Sequence, residues 1–147
     1  MKRKKYKIRT DISKRIGPFT VYRVEALKDF DDVKKGDLGG WVENERNLSQ
    51  EGDCWLYGEA TVVQDAIVFD NAKVYGNAEI DNNARVYGNA KVYDEAYITD
   101  SAEVFDYAEV YGDAWICNDA KILGKSHISG ISRVGGNDIL SHTFLFK

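Results

Sequence analysis

Histidine and cysteine have the side chains most often used for nucleophilic and acid–base chemistry, and this sequence contains only two of each. A catalytic histidine needs a nucleophile or an acceptor held beside it. The spacing of the sequence brings no such group next to His127 or His142, so we interpret both as solvated surface side chains. The sequence therefore predicts no catalytic residue.

Aromatic residues offer a different chemistry, because tyrosine and tryptophan are enriched where proteins bind partners. Four tyrosines recur at one constant interval, and a second series with the same interval holds one tyrosine and one tryptophan. The candidate binding residues are Tyr57, Tyr75, Tyr93, Tyr111, Tyr97 and Trp115. A purely structural alternative stays open, in which the stacked rings only stabilise the elements that carry them.

Charge is divided unevenly along the 147 residues, a length that corresponds to one domain. Residues 1–50 contain 13 basic and 8 acidic side chains, whereas residues 51–147 contain 7 and 16. An acidic body repels nucleic acid, or mimics it toward a DNA-binding protein. The basic start, from Lys2 to Arg15, is compatible with weak contact to nucleic acid or with a solubilising tail.

Hydropathy argues against a membrane protein. No apolar run approaches the length of about 18 residues that a spanning helix needs, and no apolar segment follows the basic start. We therefore expect no membrane contact and no secretory signal. The two cysteines could form one bridge at most, and this usage favours a reducing, cytoplasmic setting.

The elements that carry these residues are defined by a six-residue repeat. Alanine occupies every sixth position from 60 to 120, and Val or Ile stands two positions after each alanine. With the weaker copies at both ends, 14 hexads cover residues 54–137. A period of six does not match the helical turn of about 3.6 residues, but it fits short strands joined by tight corners.

Each hexad assigns its side chains to two faces. Ala and Val share a face and point inward, whereas the residue between them and the residue after Val point outward. Thirteen of the 14 positions that follow hold Gly, Asp or Asn, which tolerate a positive φ and form turns. Acids at successive corners, such as Asp94, Asp100 and Asp106, therefore diverge and predict no metal site, which needs three or four converging ligands.

This pattern resembles the hexapeptide repeat of left-handed parallel β-helices. The resemblance implies an all-β fold, a left-handed parallel β-helix with three hexads per coil and about 4.7 coils over residues 54–137. Many members of that family are acyltransferases with a catalytic histidine in a cleft between subunits, often under a loop that interrupts the repeat. Here no loop interrupts the hexads.

A coil of three hexads predicts which side chains stack. The four tyrosines at 57, 75, 93 and 111 form one outward column, and the aromatics at 69, 87 and 105 form another on a second face. Cys54 takes an inward position and Cys117 an outward one, about 17 Å apart at the spacing of stacked strands. Because a disulfide needs Cα atoms within about 7 Å, we expect two free thiols and no bridge.

The segments outside the repeat predict two end modules. Residues 1–50 form a small N-terminal cap with Trp41 as a lid on the first coil, residues 51–137 form the β-helix, and residues 138–147 form a C-terminal cap strand or an oligomer contact. The stretch GDLGGWVE, residues 36–43, resembles the N-terminal module that precedes hexapeptide repeats in phage and prophage proteins.

The predicted function is a non-catalytic β-helical scaffold of phage or prophage type that binds a host or viral protein, with inhibition of a host defence system as its role. No cofactor is expected. One alternative is a hexapeptide-type, acyl-CoA-dependent acyltransferase, and a second is a purely structural, self-associating protein. The resemblance also implies a homo-oligomer, either a dimer or a trimer, in the cytoplasm of the host cell if the gene belongs to a phage.

Overall fold

The computed structural model describes residues 3–146, and these form an all-β protein built around a parallel β-solenoid of about six turns. The described residues contain a single short 3-10 helix, Glu45–Asn47. The strands are β1 (Tyr6–Ile16), β2 (Phe19–Ala26), β3 (Leu38–Val42), β4 (Trp55–Leu56), β5 (Thr61–Val62), β6 (Ile67–Val68), β7 (Lys73–Val74), β8 (Glu79–Ile80), β9 (Arg85–Val86), β10 (Lys91–Val92), β11 (Tyr97–Ile98), β12 (Glu103–Val104), β13 (Glu109–Val110), β14 (Trp115–Ile116), β15 (Lys121–Leu123), β16 (His127–Ile128), β17 (Arg133–Val134), β18 (Ile139–Ser141) and β19 (Phe144–Leu145).

The coil has the length that the family resemblance implies. Strands three apart in the chain are neighbours in each of three parallel ladders, which belong to sheets of eight, six and five strands. In the six-stranded sheet, Lys91 pairs with Lys73 on one side and Glu109 on the other, and each partner stands three hexads away in the sequence. The prediction of three hexads per coil is therefore confirmed.

The interior holds the residues that the hexad places inward. The alanines from 60 to 120 and the Val or Ile residues that follow them are at most 1% exposed. The small alanine leaves room for the chain to bend at each corner, while the branched residue fills the bore of the solenoid.

The corners adopt the backbone conformation that their residue types predict. All 14 corner residues have a positive φ, including Gln64 at 60°. Six corner side chains also accept a hydrogen bond from the backbone N–H of the corner one turn further along. These pairs are Gln64 with Asn82, Asp70 with Gly88, Asp94 with Gly112, Asp100 with Asn118, Asp106 with Gly124 and Asn118 with Gly136. Each such bond holds two successive turns of the solenoid at a fixed separation.

The N-terminal segment extends one solenoid sheet. β1 and β2 form an antiparallel hairpin, β2 pairs antiparallel with β3, and β3 lies parallel to β5. β3 lies so close to the first coil that a Cβ atom on Gly40 would be 2.4 Å from the carbonyl oxygen of Ala60. Lys2, at the beginning of the basic start, lies outside the described residues.

The expectation that Trp41 closes the first coil is wrong. Its ring packs with Val21 and Val63 in a small cluster outside the bore, with the Lys14 ammonium 4.4 Å from the ring centroid. The cause is the two-residue period of a strand, because the next residue, Val42, is the one that points into the core.

Other large side chains are buried at this end of the solenoid. Tyr6, Leu48 and Trp55 are at most 2% exposed and belong to the main core. The Trp55 ring meets those of Tyr6 and Phe30 edge-on, with centroids 6.2 and 5.3 Å away. This part of the core is therefore assembled from residues that lie far apart in the sequence.

The solenoid is longer than the predicted 4.7 coils, because chain without the hexad continues the ladders at both ends. β3 precedes β5, while β18 and β19 follow β15 and β16. In the tail, Leu140 and Leu145 pack against the core, whereas Phe144 and Phe146 remain exposed. A parallel ladder is held by backbone hydrogen bonds, so it can continue where the sequence pattern has faded. An oligomer contact at this tail stays a prediction.

Both cysteines are free, as the distance argument predicts. Cys54 occupies an inward position and is fully buried. Cys117 points outward but is only 3% exposed, and its thiol lies 3.5 Å from the carbonyl oxygen of Val134 on the next rung.

Candidate functional site

The tyrosine ladder, which comprises Tyr57, Tyr75, Tyr93 and Tyr111, runs along the six-stranded sheet. Each tyrosine directly follows the inward residue of β4, β7, β10 or β13, so all four point outward on one face. Their ring centroids lie 4.8, 6.0 and 4.8 Å apart along the series. The structure therefore brings these four predicted binding residues together, and each is half-buried.

The ladder is interrupted at its centre. The rings are nearly parallel within each outer pair, at 21° and 1°, but Tyr75 and Tyr93 meet at 81°. A cavity of about 340 Å³ opens at this break, between Tyr75, Tyr93 and Lys91, with Asp94 and Glu109 at its wall. One ammonium against two carboxylates leaves the lining net negative, so the cavity favours a zwitterionic or peptide-like group over a phosphate.

The phenol groups of the ladder are hydrogen-bond donors. The Tyr57 hydroxyl donates to Asp32 at 2.6 Å and the Tyr93 hydroxyl donates to Glu109 at 2.9 Å. Burial, together with these bonds to carboxylates, raises the pKa of both phenols well above the usual 10.0. Both groups therefore stay protonated at neutral pH and do not act as bases.

Tyr97 and Trp115 do not join the ladder, because β11 and β14 belong to the eight-stranded sheet. Their ring centroids are 5.6 Å apart, and the Arg133 guanidinium lies 4.1 Å from the Trp115 ring centroid. We call Tyr97, Trp115 and Arg133 the Trp115 stack. Trp115 is 38% exposed, and Ile131, two positions before Arg133, is 78% exposed.

Arg133 was missed by the sequence analysis, although a signal for it exists. It stands three hexads after Trp115, so the coil length places it on the next rung of the same column. The column that contains Tyr97 and Trp115 therefore has the cationic side chain of Arg133 on its next rung, and not a third aromatic residue. Trp, Tyr and Arg are the residue types that dominate the binding energy of protein interfaces.

The two histidines lie in different surroundings. His127 is half-buried, and so is less solvated than expected, with its Nε2 3.8 Å from Glu109 Oε2 and its ring centroid 5.4 Å from that of Phe144. A carboxylate beside an imidazole can orient a general base, but this separation exceeds a hydrogen bond. His142 is exposed at a corner, where its Nδ1 accepts a weak bond from the backbone N–H of Lys125 at 3.4 Å.

Two further findings concern the chain from residue 3 to residue 146. It contains no cluster of three His, Cys, Asp or Glu side chains placed to hold a metal ion. It also contains no helix with the length and apolar character needed to cross a membrane.

The repeat, the coil of three hexads and the parallel ladders fit the hexapeptide-repeat family. No protein-family model matches the chain. A stretch of 41 residues, 28% of this chain, is 42% identical to an Escherichia coli K12 protein named "Uncharacterized acetyltransferase YdcK". The match spans only 13% of that protein's length. The similarity supports the hexapeptide-repeat resemblance, while the phage or prophage type stays a prediction.

Proposed function

We propose that this chain is a non-catalytic β-helical scaffold that binds a partner protein through the Trp115 stack and the tyrosine ladder. The exposed Trp115 ring carries the proposal. It lies between Tyr97 and Arg133, and Ile131, two positions before Arg133, is also exposed, so the surface combines apolar area with a cation and a phenol. Surfaces of this composition act as anchors in protein interfaces.

Rigidity of the frame supports the same function. Backbone hydrogen bonds join successive rungs under the stack, such as Thr99 N–H to the Ile116 carbonyl oxygen at 2.9 Å. The rings therefore need little ordering when a partner arrives, which lowers the entropy cost of association.

The test is comparative affinity capture from the native host, quantified by mass spectrometry and repeated with the purified partner. The informative variant is Trp115→Ala combined with Arg133→Ala, and the matched control is Lys121→Ala, an exposed residue on another sheet. We expect one host protein to be retained by the wild type and the control and lost from the double variant. Equal retention by all three proteins would move the binding surface elsewhere.

Acyltransferase activity is the second candidate function. Two observations favour it, namely the acetyltransferase name of the E. coli relative and the position of His127 beside Glu109. Catalytic hydrogen bonds are often long before substrate binds. Turnover of acetyl-CoA with a panel of acceptors, abolished by His127→Ala and retained in His142→Ala, would establish this activity and refute the non-catalytic scaffold.

The finer elements of the proposed function rest on resemblance. A phage or prophage origin is suggested by the resemblance of the GDLGGWVE segment, residues 36–43, and it stays a prediction. The inhibition of a host defence system is a further prediction that depends on this origin. A weak contact of the basic start with nucleic acid is a prediction of the same kind.

A further inference from the structure

Lys5 and Cys54 form a buried pair of an amine and a thiol at the N-terminal end of the solenoid. Lys5 is 1% exposed and Cys54 is fully buried, and Lys5 Nζ lies 3.3 Å from Cys54 Sγ. The same nitrogen also donates to the carbonyl oxygen of Cys54 at 2.8 Å and to that of Gly52 at 3.2 Å. The side chain is thus held with its nitrogen in contact with the sulfur.

The sulfur is not needed to hold the lysine. The carbonyl oxygens of residues 52 and 54 would accept the same two bonds from Lys5 whatever side chain stood at position 54. The repeat itself uses alanine at this inward position in eleven successive hexads. Cysteine here therefore adds a reactive group next to an amine, beyond what packing requires.

A surface cavity lies next to the pair in the chain. A cavity of about 360 Å³ is lined by Lys4 and Gln50, among others, and the Gln50 side-chain oxygen accepts a bond from the backbone N–H of Lys5 at 2.8 Å. Dioxygen is small and apolar, so it can approach the buried pair from this side through small fluctuations of the surrounding side chains.

We propose that Lys5 and Cys54 form a reversible nitrogen–oxygen–sulfur crosslink, with dioxygen as the oxidant. One N–H bond of the neutral amine, the S–H bond and the O=O bond break, and an N–O and an O–S bond form. One oxygen atom stays in the bridge, and the other leaves as water with the two hydrogen atoms. In reverse, two equivalents of a dithiol reductant restore the amine and the thiol and release the bridging oxygen as water.

The surroundings favour the reactive form of the nitrogen. Burial lowers the pKa of Lys5, which increases the fraction of neutral amine at a given pH. Burial also raises the pKa of Cys54, so the sulfur enters the reaction mainly as a thiol.

The crosslink would tie the residue that precedes β1 to the first coil. Its two ends are 49 positions apart in the chain, so closing this loop removes conformational entropy from the unfolded state. The oxidised protein should therefore unfold at a higher temperature than the reduced protein, and the N-terminal hairpin should detach less readily.

Intact-mass and peptide mass spectrometry of the full chain test the proposal, after incubation of the folded protein under oxygen and then with a dithiol reductant. We expect the gain of one oxygen and the loss of two hydrogens, a joined pair of peptides containing Lys5 and Cys54, and reversal by the reductant. Cys117→Ala should keep the crosslink, because the Cys117 thiol contacts a carbonyl oxygen and takes no part in the pair.

Mass spectrometry of the wild-type protein is sufficient to refute the proposal. Oxidation that leaves the two peptides separate, such as a sulfenic or sulfinic acid on Cys54, overturns the proposal, and so does an unchanged mass. Lys5→Arg, which keeps the positive charge, should lose the crosslink, and its persistence there would assign the bridge to a different amine. The result is independent of partner binding, since the pair lies at the opposite end of the solenoid from Arg133.

Discussion

Replacing Val92 with aspartate tests which side chains fill the solenoid. Val92 is fully buried between Val74 and Val110, its neighbours on the rungs on either side. Loss of its buried surface costs about 1.5–3 kcal/mol, and an unpaired carboxyl group among apolar side chains adds at least about 2 kcal/mol. Their sum, about 3.5–5 kcal/mol or more, is a large part of the free energy of unfolding of a typical domain, about 5–15 kcal/mol. At roughly 2–4 °C per kcal/mol, we expect a melting temperature lowered by about 10 °C or more.

The adjacent substitution Lys91→Asp is the matched control, because it introduces the same residue on the exposed face. The new carboxylate would lie between Lys73 and Glu109, so one favourable and one unfavourable pair nearly cancel. We expect a change of about 0.5 kcal/mol or less, within about 2 °C. Circular dichroism and scanning calorimetry measure both variants, and equal melting shifts would refute the assignment of inward and outward positions.

Three further predictions concern self-association, the close approach of β3 to the first coil, and the pH dependence of stability. Light scattering should show that the wild type is a dimer or trimer, held together through the tyrosine ladder. The double variant Tyr75→Glu, Tyr93→Glu should then be a monomer. A monomeric wild type would refute self-association. Gly40→Ala should lower the free energy of unfolding by about 1–3 kcal/mol, because its Cβ atom would lie 2.4 Å from a backbone carbonyl oxygen, and an unchanged denaturation midpoint would contradict this. Burial and the bond to Asp81 raise the pKa of Tyr97 from 10.0 to about 12, so the stability it contributes is complete below pH 10 and is lost as the pH rises toward 12. Tyr97→Phe should flatten the decline of unfolding free energy across that interval, and a decline as steep as that of the wild type would argue against the shift.

The solenoid could be predicted from the sequence because one short pattern determines its geometry. Each alanine and the branched residue after it face the bore, and each corner residue permits a positive φ, so local preference and long-range pairing agree. The coil length of three hexads was implied by the family resemblance, and the aromatic columns agree with it, since only this interval stacks Tyr57 on Tyr75. Repetition of the same information in every hexad made this part of the fold predictable.

The N-terminal module could not be predicted in the same detail, because each of its contacts occurs once. Trp41 was expected to face the bore, but pairing of β3 with β5 points it outward, and that pairing leaves no periodic trace in the sequence. The contact between Lys5 and Cys54 is equally hidden, since the two residues are 49 positions apart. Such contacts depend on how separate segments dock, and sequence spacing does not determine this.

Specific binding on a solenoid depends on departures from the repeat. A perfectly periodic face presents the same surface on every rung, so a partner could bind it in several positions shifted by one coil. The tyrosine ladder has this weakness, which is relieved only where Tyr75 and Tyr93 meet edge-on. The column of the Trp115 stack has a different side chain on each rung, with Tyr97, Trp115 and Arg133 in succession. A partner that recognises this order has one position available, and for that reason the Trp115 stack is the surface on which a single complex can be specified.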